Sequence, residues 1–540
     1  MSFDDDFYRR FEGGSTRLGG DNDAQYLAQG GGPVAHAVHD IIRFQAEQPT
    51  IIFGGAGSGK FANLGAYQLV HPSTGSFFIL DVGGQYMSTT WHYNLKMGRE
   101  AYAINPHGAS SYPDINHPVD LFGFLKVGKR LFDDSKAVAD MALTESENEG
   151  ENAWVRQGAG RWLTRILTSA VRLEGRVTPQ RLWQLINTID TDDDFLKKWG
   201  RACEGLPNDE HATFVEIYRK KNTSQKEYGA IMGKIKDDLD WLSSSDVAAS
   251  ISGDIDYLSL LGDPKKKVGI YYVIRGGSTK EMLSLTRMVV GIAQLACVRA
   301  MKGALPIFYL EEAATCGKAE FIRKSVSEYR KYFIVILVYQ SQGQLILLFG
   351  KAGAQEITES CGMQVFPGGG IRSIDSAKNI AESAGRKTID VEIPMAQADR
   401  AFRAQSATWQ AYWQDMDMME AERNYEHEVM QSQQHGKKSR YAIDPAELMR
   451  LKNEVLILTP GMGLQPILAD KLLPYWENPA MAGRYGPDPL FPPLNRVIIS
   501  RRFWGKTTRR FIREDVPAHL AHLPNHINGE IAYVKGYRTW

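Results

Sequence analysis

Three observations predict an α/β fold in which a parallel-dominated sheet, flanked by helices, is interrupted by a long all-helical stretch. A glycine-rich loop, Gly54 to Lys60, follows the β-branched run Thr50-Ile51-Ile52-Phe53 directly. Short apolar runs then recur along the chain, separated by segments of helical length. Between about Val119 and Leu258 those runs give way to helical periodicity, with Trp154, Trp162, Leu163, Ile166 and Leu167 at three- and four-residue steps.

The glycine-rich loop reads Phe53-Gly54-Gly55-Ala56-Gly57-Ser58-Gly59-Lys60-Phe61. A strand feeding G-x-x-x-x-G-K and opening into a helix is the phosphate-binding loop of nucleotide-triphosphatases. Gly54 and Gly59 allow backbone amides to turn onto the phosphates, and Lys60 supplies charge. The motif's last position carries a Ser or Thr hydroxyl that ligates magnesium, and here it is Phe61. The loop therefore predicts nucleotide binding more securely than ordinary hydrolysis.

The next strands are expected at Ser76 to Leu80, ending on Asp81, and at Ala101 to Ile104. After the helical stretch they resume at Val268 to Val273, Pro306 to Leu310, Ile334 to Val338 and Met363 to Phe366. Strands alternating with helices make a parallel sheet. The domain expectation is a glycine-rich, flexible lead-in over 1–45, a nucleotide-binding domain from 46–118 and 259–490, an all-α domain over 119–258 and a C-terminal extension over 491–540. Residues 396–440, rich in Gln, Met and acids, read as a mobile insertion or a surface helix.

Composition narrows the function. Lys plus Arg and Asp plus Glu are 63 each, so the chain as a whole is not a polycationic nucleic-acid binder. Its four cysteines have no C-x-x-C spacing, which argues against a zinc site and suits a reducing compartment. The start has no apolar signal-peptide core. Phe333 to Phe349 is too polar, through Gln340, Ser341, Gln342 and Gln344, for a spanning helix.

A phosphate loop needs acids that hold magnesium and activate water. Glu311-Glu312, at the end of Ile307 to Leu310, fit best: Glu311 on the metal and Glu312 as general base. Two acids opening a solvated helix would look the same. Gln340, at the end of the following strand, stands where a side chain can sense a terminal phosphate. Arg330 precedes that strand and suits either an arginine finger reaching a neighbouring subunit or an ordinary exposed arginine.

In order, these segments resemble the type IV secretion coupling proteins, the TraG/TraD-like ATPases of conjugation. The resemblance runs from about Ile51 to Pro479. It includes the loop, Asp81, Ala101 to Pro106, Asn152-Ala153-Trp154, Leu310 to Lys318, Tyr329-Arg330-Lys331 and Tyr339-Gln340-Ser341. It continues through Cys361 to Phe366, Ala384 to Thr388, Ile443 to Leu448 and Gln465 to Lys471. The resemblance implies a RecA-like motor domain carrying an all-α domain, assembled as a homo-hexamer that uses ATP and Mg2+ to deliver DNA or protein cargo to a secretion channel. It assigns phosphate binding to the loop from Gly54 through Lys60 to Phe61, magnesium to Glu311, the attacking water to Glu312, the γ-phosphate to Gln340 and the adjacent site to Arg330. It implies a cytoplasmic position at the inner face of the bacterial inner membrane, held by partners, because the family's N-terminal membrane helices are not in this sequence. Phe61, Glu311 in place of Asp, and Asp81-Val82-Gly83-Gly84-Gln85 in place of the usual Asp-Pro-Lys-Gly-Glu depart from the pattern. So does the short spacing from Arg330 to Gln340.

Two alternatives stay open. One is a degenerate member that serves as a recruitment platform, and the other is a DNA translocase of the FtsK/HerA kind outside any secretion system. Arg501 to Arg513 interleaves basic and aromatic residues, a composition suited to single-stranded nucleic acid or to an amphipathic segment docking on the core.

Overall fold

The computed structural model describes residues 33–534 except 37–40, 44–47, 72–74, 145–148, 278–281, 301–304, 392–393, most of 415–435 and of 477–495, 502–504 and 516–529. Before residue 33 it describes only Leu18, Leu27 and Ala28.

The strands, numbered in chain order, are β1 (Pro33–His36), β2 (Ile41–Arg43), β3 (Thr50–Phe53), β4 (Phe77–Val82), β5 (Glu100–Ile104), β6 (Val268–Ile274), β7 (Ile307–Leu310) and β8 (Ile334–Tyr339). They continue as β9 (Met363–Pro367), β10 (Arg386–Val391), β11 (Gly436–Tyr441), β12 (Glu454–Leu458), β13 (Ile467–Lys471), β14 (Arg496–Arg501), β15 (Gly505–Asp515) and β16 (Glu530–Val534). Eleven of them form one sheet in the order β2-β1-β13-β12-β9-β3-β8-β7-β4-β6-β5. From β9 to β5 every pairing is parallel.

Both faces of the parallel part are covered, and the strand sequences show why. Side chains alternate between faces along a strand, and here both sets are apolar. Ile51, Phe53, Phe78, Leu80, Phe308 and Leu310 enter one core, which also holds the helical region. Ile52, Phe77, Ile79, Tyr309, Ile336 and Val338 enter the other, with the helix that follows the phosphate loop. Near-continuous apolar strands are what a sheet buried on both sides requires.

The sheet is parallel-dominated, as expected: beyond its parallel part, β12 runs antiparallel to β9, and β13, β1 and β2 follow antiparallel in turn. One expectation is corrected at this edge. The lead-in expected over 1–45 contains β1 and β2, with Val34, Ala35 and Ile42 buried and the Arg43 amide donating to the Leu27 carbonyl at 2.9 Å. Glycine-rich flanks hid these strands, which are too short to show a period and find their partner only in β13.

Between β5 and β6, among the described residues, seven α-helices run from Leu131–Ala142 to Ser245–Ile251. Their caps follow local rules. The Thr178 hydroxyl accepts from the Arg181 amide ahead of Pro179, and the Asp192 carboxylate accepts from the Phe195 amide. In helix Glu149–Glu174 the periodic residues Trp162, Leu163, Ile166 and Leu167 are buried, whereas Trp154 is exposed.

Among the described residues, one helix, Leu283–Ala300, is long and apolar enough to cross a membrane, and most of it is buried in the core. Between β10 and β11, an antiparallel pair, lies helix Pro394–Trp413, so the polar insertion includes a helix and its closing strand. The basic C-terminal run forms β14 and β15 of a three-stranded antiparallel sheet with β16; Arg502 to Trp504 lie outside the described residues.

Candidate nucleotide site

The predicted site residues gather at the carboxyl ends of adjacent parallel strands, where open α/β sheets bind ligands. β3 runs into the phosphate loop, β4 carries Asp81, β7 ends at Glu311-Glu312 and β8 at Gln340. The loop is pinned at its start by the Gly54 amide, which donates to the Tyr339 carbonyl at 2.9 Å, and is closed by Ser58 N–H to Gly55 O at 3.2 Å. At its end Gly59 takes φ 81°, a left-handed conformation, and a Cβ there would strike the Asn63 amide. Lys60–Gly65 then forms a π-helical turn that continues as helix Ala66–Val70, an uncommon geometry associated with functional sites.

Lys60, Glu312 and Gln340 meet. The Lys60 ammonium lies 3.1 Å from Glu312 Oε1, and Gln340 Nε2 donates to both Glu312 oxygens at 3.1 Å. Glu312 sits at φ 54°, ψ 52°, one of three non-glycine residues with positive φ among the described residues. That conformation costs roughly 1–2 kcal/mol for an L-residue, offset here by the contacts that point its carboxylate at the loop lysine.

The metal side is built differently. The Phe61 ring lies in the core, edge-on to Tyr86 at 4.6 Å and to Tyr475 at 5.5 Å between centroids. Its side chain therefore neither replaces the missing hydroxyl nor crowds the phosphates. Burial, and after it the nearby Asp81 carboxylate, push the Glu311 carboxyl well above the usual range, with Lys60 only partly opposing them. Asp81 is itself buried and accepts the Tyr86 and Met87 amides at 3.2 and 2.8 Å, so it anchors helix Gln85–Lys96 as well as shaping this field.

Arg330 is exposed, on a short turn before β8. Gln340 lies beyond the other end of that strand, roughly 20 Å away at ~3.3 Å per residue. The two cannot serve one nucleotide within the same chain.

Sequence reasoning missed the clamp behind the loop. The Lys471 ammonium, at the end of β13, donates to the Ser58 carbonyl at 2.9 Å and to the Gly368 carbonyl at 2.7 Å. Arg372 Nη2 donates to the Ala56 carbonyl at 2.7 Å. The chain after β13 continues the grip: Asn63 Nδ2 donates to Leu472 O at 2.5 Å, and the Tyr475 amide donates to Ala62 O at 2.9 Å. Lys471 lies within a segment that the family resemblance included, but only the fold brings it to the loop.

A phosphate loop, two strand-end acids and a strand-end glutamine on a doubly covered parallel sheet define a P-loop nucleotide-binding α/β protein. A family model describing type IV secretory system conjugative DNA transfer matches residues 35–488, and the chain belongs to that family. Over 157 residues it is 29% identical to the type IV secretion system-coupling protein VirD4 of Bartonella henselae, and equally to that of Bartonella quintana. That stretch is 28% of this chain and 24% of each relative, so the match spans about a quarter of their length.

Among solved structures, the bacterial conjugative coupling protein TrwBdeltaN70 in its unbound form superposes with TM-score 0.60 at 14% identity, covering 86% of this chain and 94% of that one. TrwB with the non-hydrolysable ATP analogue ADPNP gives TM-score 0.60 at 16% identity, covering 86% and 95%. TrwB with ADP and Mg2+ gives 0.59 at 15%, with the same coverage. At these identities the likeness concerns the fold alone, an α/β RecA-like core with a helical region.

Proposed function

We propose that the chain is an ATP-binding coupling protein that recruits DNA or protein cargo and helps translocate it into a type IV secretion or conjugation apparatus, as a homo-hexamer using Mg2+. The observation that carries this reading is the meeting of Lys60, Glu312 and Gln340 at the strand edge of a family-matched fold. Family membership and the relatives named as coupling proteins support the apparatus. A place at the inner face of the bacterial inner membrane, through a membrane-anchored partner, follows from the same reading.

The residues present fit a nucleotide and one magnesium ion. Mg2+ needs one or two carboxylates together with phosphate oxygens and water, and half-buried Glu311, raised in part by the nearby buried Asp81, is an acid whose charge a divalent cation would relieve. When bound, the ion would neutralise charge on the phosphates. Water would take the place of the hydroxyl lost at Phe61. Loop amides from Gly54 to Lys60 would hold the phosphates, and Lys60 would exchange Glu312 for phosphate oxygen. Glu312, so released, would accept a proton from water, held in line by Gln340. Arg330 would act on a neighbouring protomer's nucleotide.

A second reading, a weakly hydrolysing recruitment platform, is favoured by one observation: the residue at the hydroxyl position is committed to aromatic packing. The test is ATP turnover by the purified chain, with and without single-stranded DNA, beside Lys60→Ala. A motor loses turnover by about a hundredfold or more in that variant, and turnover indifferent to Lys60→Ala would sink the motor reading.

A further inference from the structure

A second glycine-rich run, Gly368-Gly369-Gly370-Ile371-Arg372, follows β9. β9 flanks β3 on the side away from β8, so this run meets the phosphate loop from the side opposite Glu312 and Gln340. The two loops touch. A Cβ added at Gly370 would lie 2.8 Å from the Gly55 nitrogen and 3.2 Å from Ser58 Cβ, and one added at Gly55 would lie 2.9 Å from the Gly370 carbonyl oxygen. Glycine on both sides is what permits that approach. The approach delivers Arg372 to the loop, where its Nη2 donates to the Ala56 carbonyl at 2.7 Å.

That bond uses one of the five N–H donors of a guanidinium. Arg372 is exposed, as are Ala56 and Gly57 at the outer turn of the phosphate loop, and it forms no ion pair among the described residues. Two further cations at the loop are already held. Lys60 pairs with Glu312, and the Lys471 ammonium donates to the Ser58 and Gly368 carbonyls. Arg372 therefore brings both charge and unused donors to the rim of a loop whose geometry suits phosphates, and a planar guanidinium matches phosphate oxygens through paired, charge-assisted hydrogen bonds.

We propose that Arg372 is a binding residue of the nucleotide site, donating to a phosphate oxygen of the nucleotide held by its own chain. It would act from the β9 side of the loop, while Glu312 and Gln340 stand on the other. The inference rests on the nucleotide reading above, and it gives this chain an arginine in its own site, distinct from Arg330, which that reading assigns to a neighbouring protomer's nucleotide. The bond to Ala56 holds the guanidinium at the loop before a nucleotide arrives, so less side-chain freedom is lost on binding.

The test titrates the full chain and its Arg372→Ala variant with a fluorescent, non-hydrolysable ATP analogue and Mg2+, at low and at high salt, beside thermal melts without nucleotide. Arg372 is exposed, so the melting temperature without nucleotide is expected to be unchanged. Affinity is expected to fall about tenfold at low salt. The ratio between the two proteins should narrow at high salt, because a contact between opposite charges is screened. A guanidinium that only braced the neutral Ala56 carbonyl would give a ratio indifferent to salt. Equal affinities, or a salt-independent ratio, would overturn this proposal and leave the nucleotide reading standing, whereas a parent chain that binds no analogue would overturn both.

Discussion

The two sides of the nucleotide site are built from different materials. On the phosphate side, the loop from Gly54 to Lys60 works through backbone amides and one lysine, and long-range contacts from Lys471 and Arg372 brace it. On the side where a metal would sit, two side chains depart from the family pattern: Phe61 packs in an aromatic cluster, and Glu311 is half-buried, its carboxyl pushed up by burial and by the nearby Asp81 carboxylate. Backbone geometry tolerates side-chain substitution, so on the proposed reading a phosphate grip would survive where the metal side departs from the family pattern.

The sharpest challenge to this contrast is Phe61→Thr, which restores the family hydroxyl. If the ring is structural, removing it from between Tyr86 and Tyr475 destabilises the chain by ~3 kcal/mol. Denaturant unfolding measures this, and a loss well under ~1 kcal/mol would mean that the ring is not part of the fold's support.

A smaller effect is expected from Lys471→Met, which leaves two carbonyls, Ser58 and Gly368, without their donor. Leaving such groups unsatisfied costs ~1–3 kcal/mol. Because the phosphate loop loses its brace, affinity for a fluorescent ATP analogue should also drop by about tenfold. Unchanged nucleotide affinity in a destabilised protein would confine the clamp to a structural role.

The smallest shift should come from Glu311→Gln in magnesium-free buffer. A carboxyl whose folded value is raised is penalised once it ionises. Its effect is absent below the unfolded value near ~4.3 and grows as pH rises toward the folded value. The variant should match the parent in acid and be more stable than it at neutral pH. Thermal melts across that pH range decide it; a variant less stable than the parent at neutral pH would remove the acid pair from the account.

Legibility in the sequence followed contact range. β3 to β9 could be read because each is a continuous apolar run buried on both faces, and the phosphate loop because its geometry depends on glycines at fixed spacing. β1 and β2 could not, since three or four residues carry no period and their stability comes from β13, more than four hundred positions away. Order along the strand end assigns Glu311 and Glu312 different roles in sequence, but only the fold shows how each is held: the Glu311 carboxyl is pushed up by burial and by Asp81, whereas that of Glu312, set at positive φ, is turned to Lys60 and Gln340.

By itself, then, the sequence determined the parallel core, the helical insertion, the phosphate loop and the set of acids at the strand ends, because all of these depend on local pattern and backbone stereochemistry. Only the tertiary structure decided the antiparallel edge, the burial of the Phe61 ring and the Lys471 clamp. Each of those joins residues distant in sequence, and the free energy of such contacts depends on which groups share a neighbourhood rather than on which follow one another in the chain.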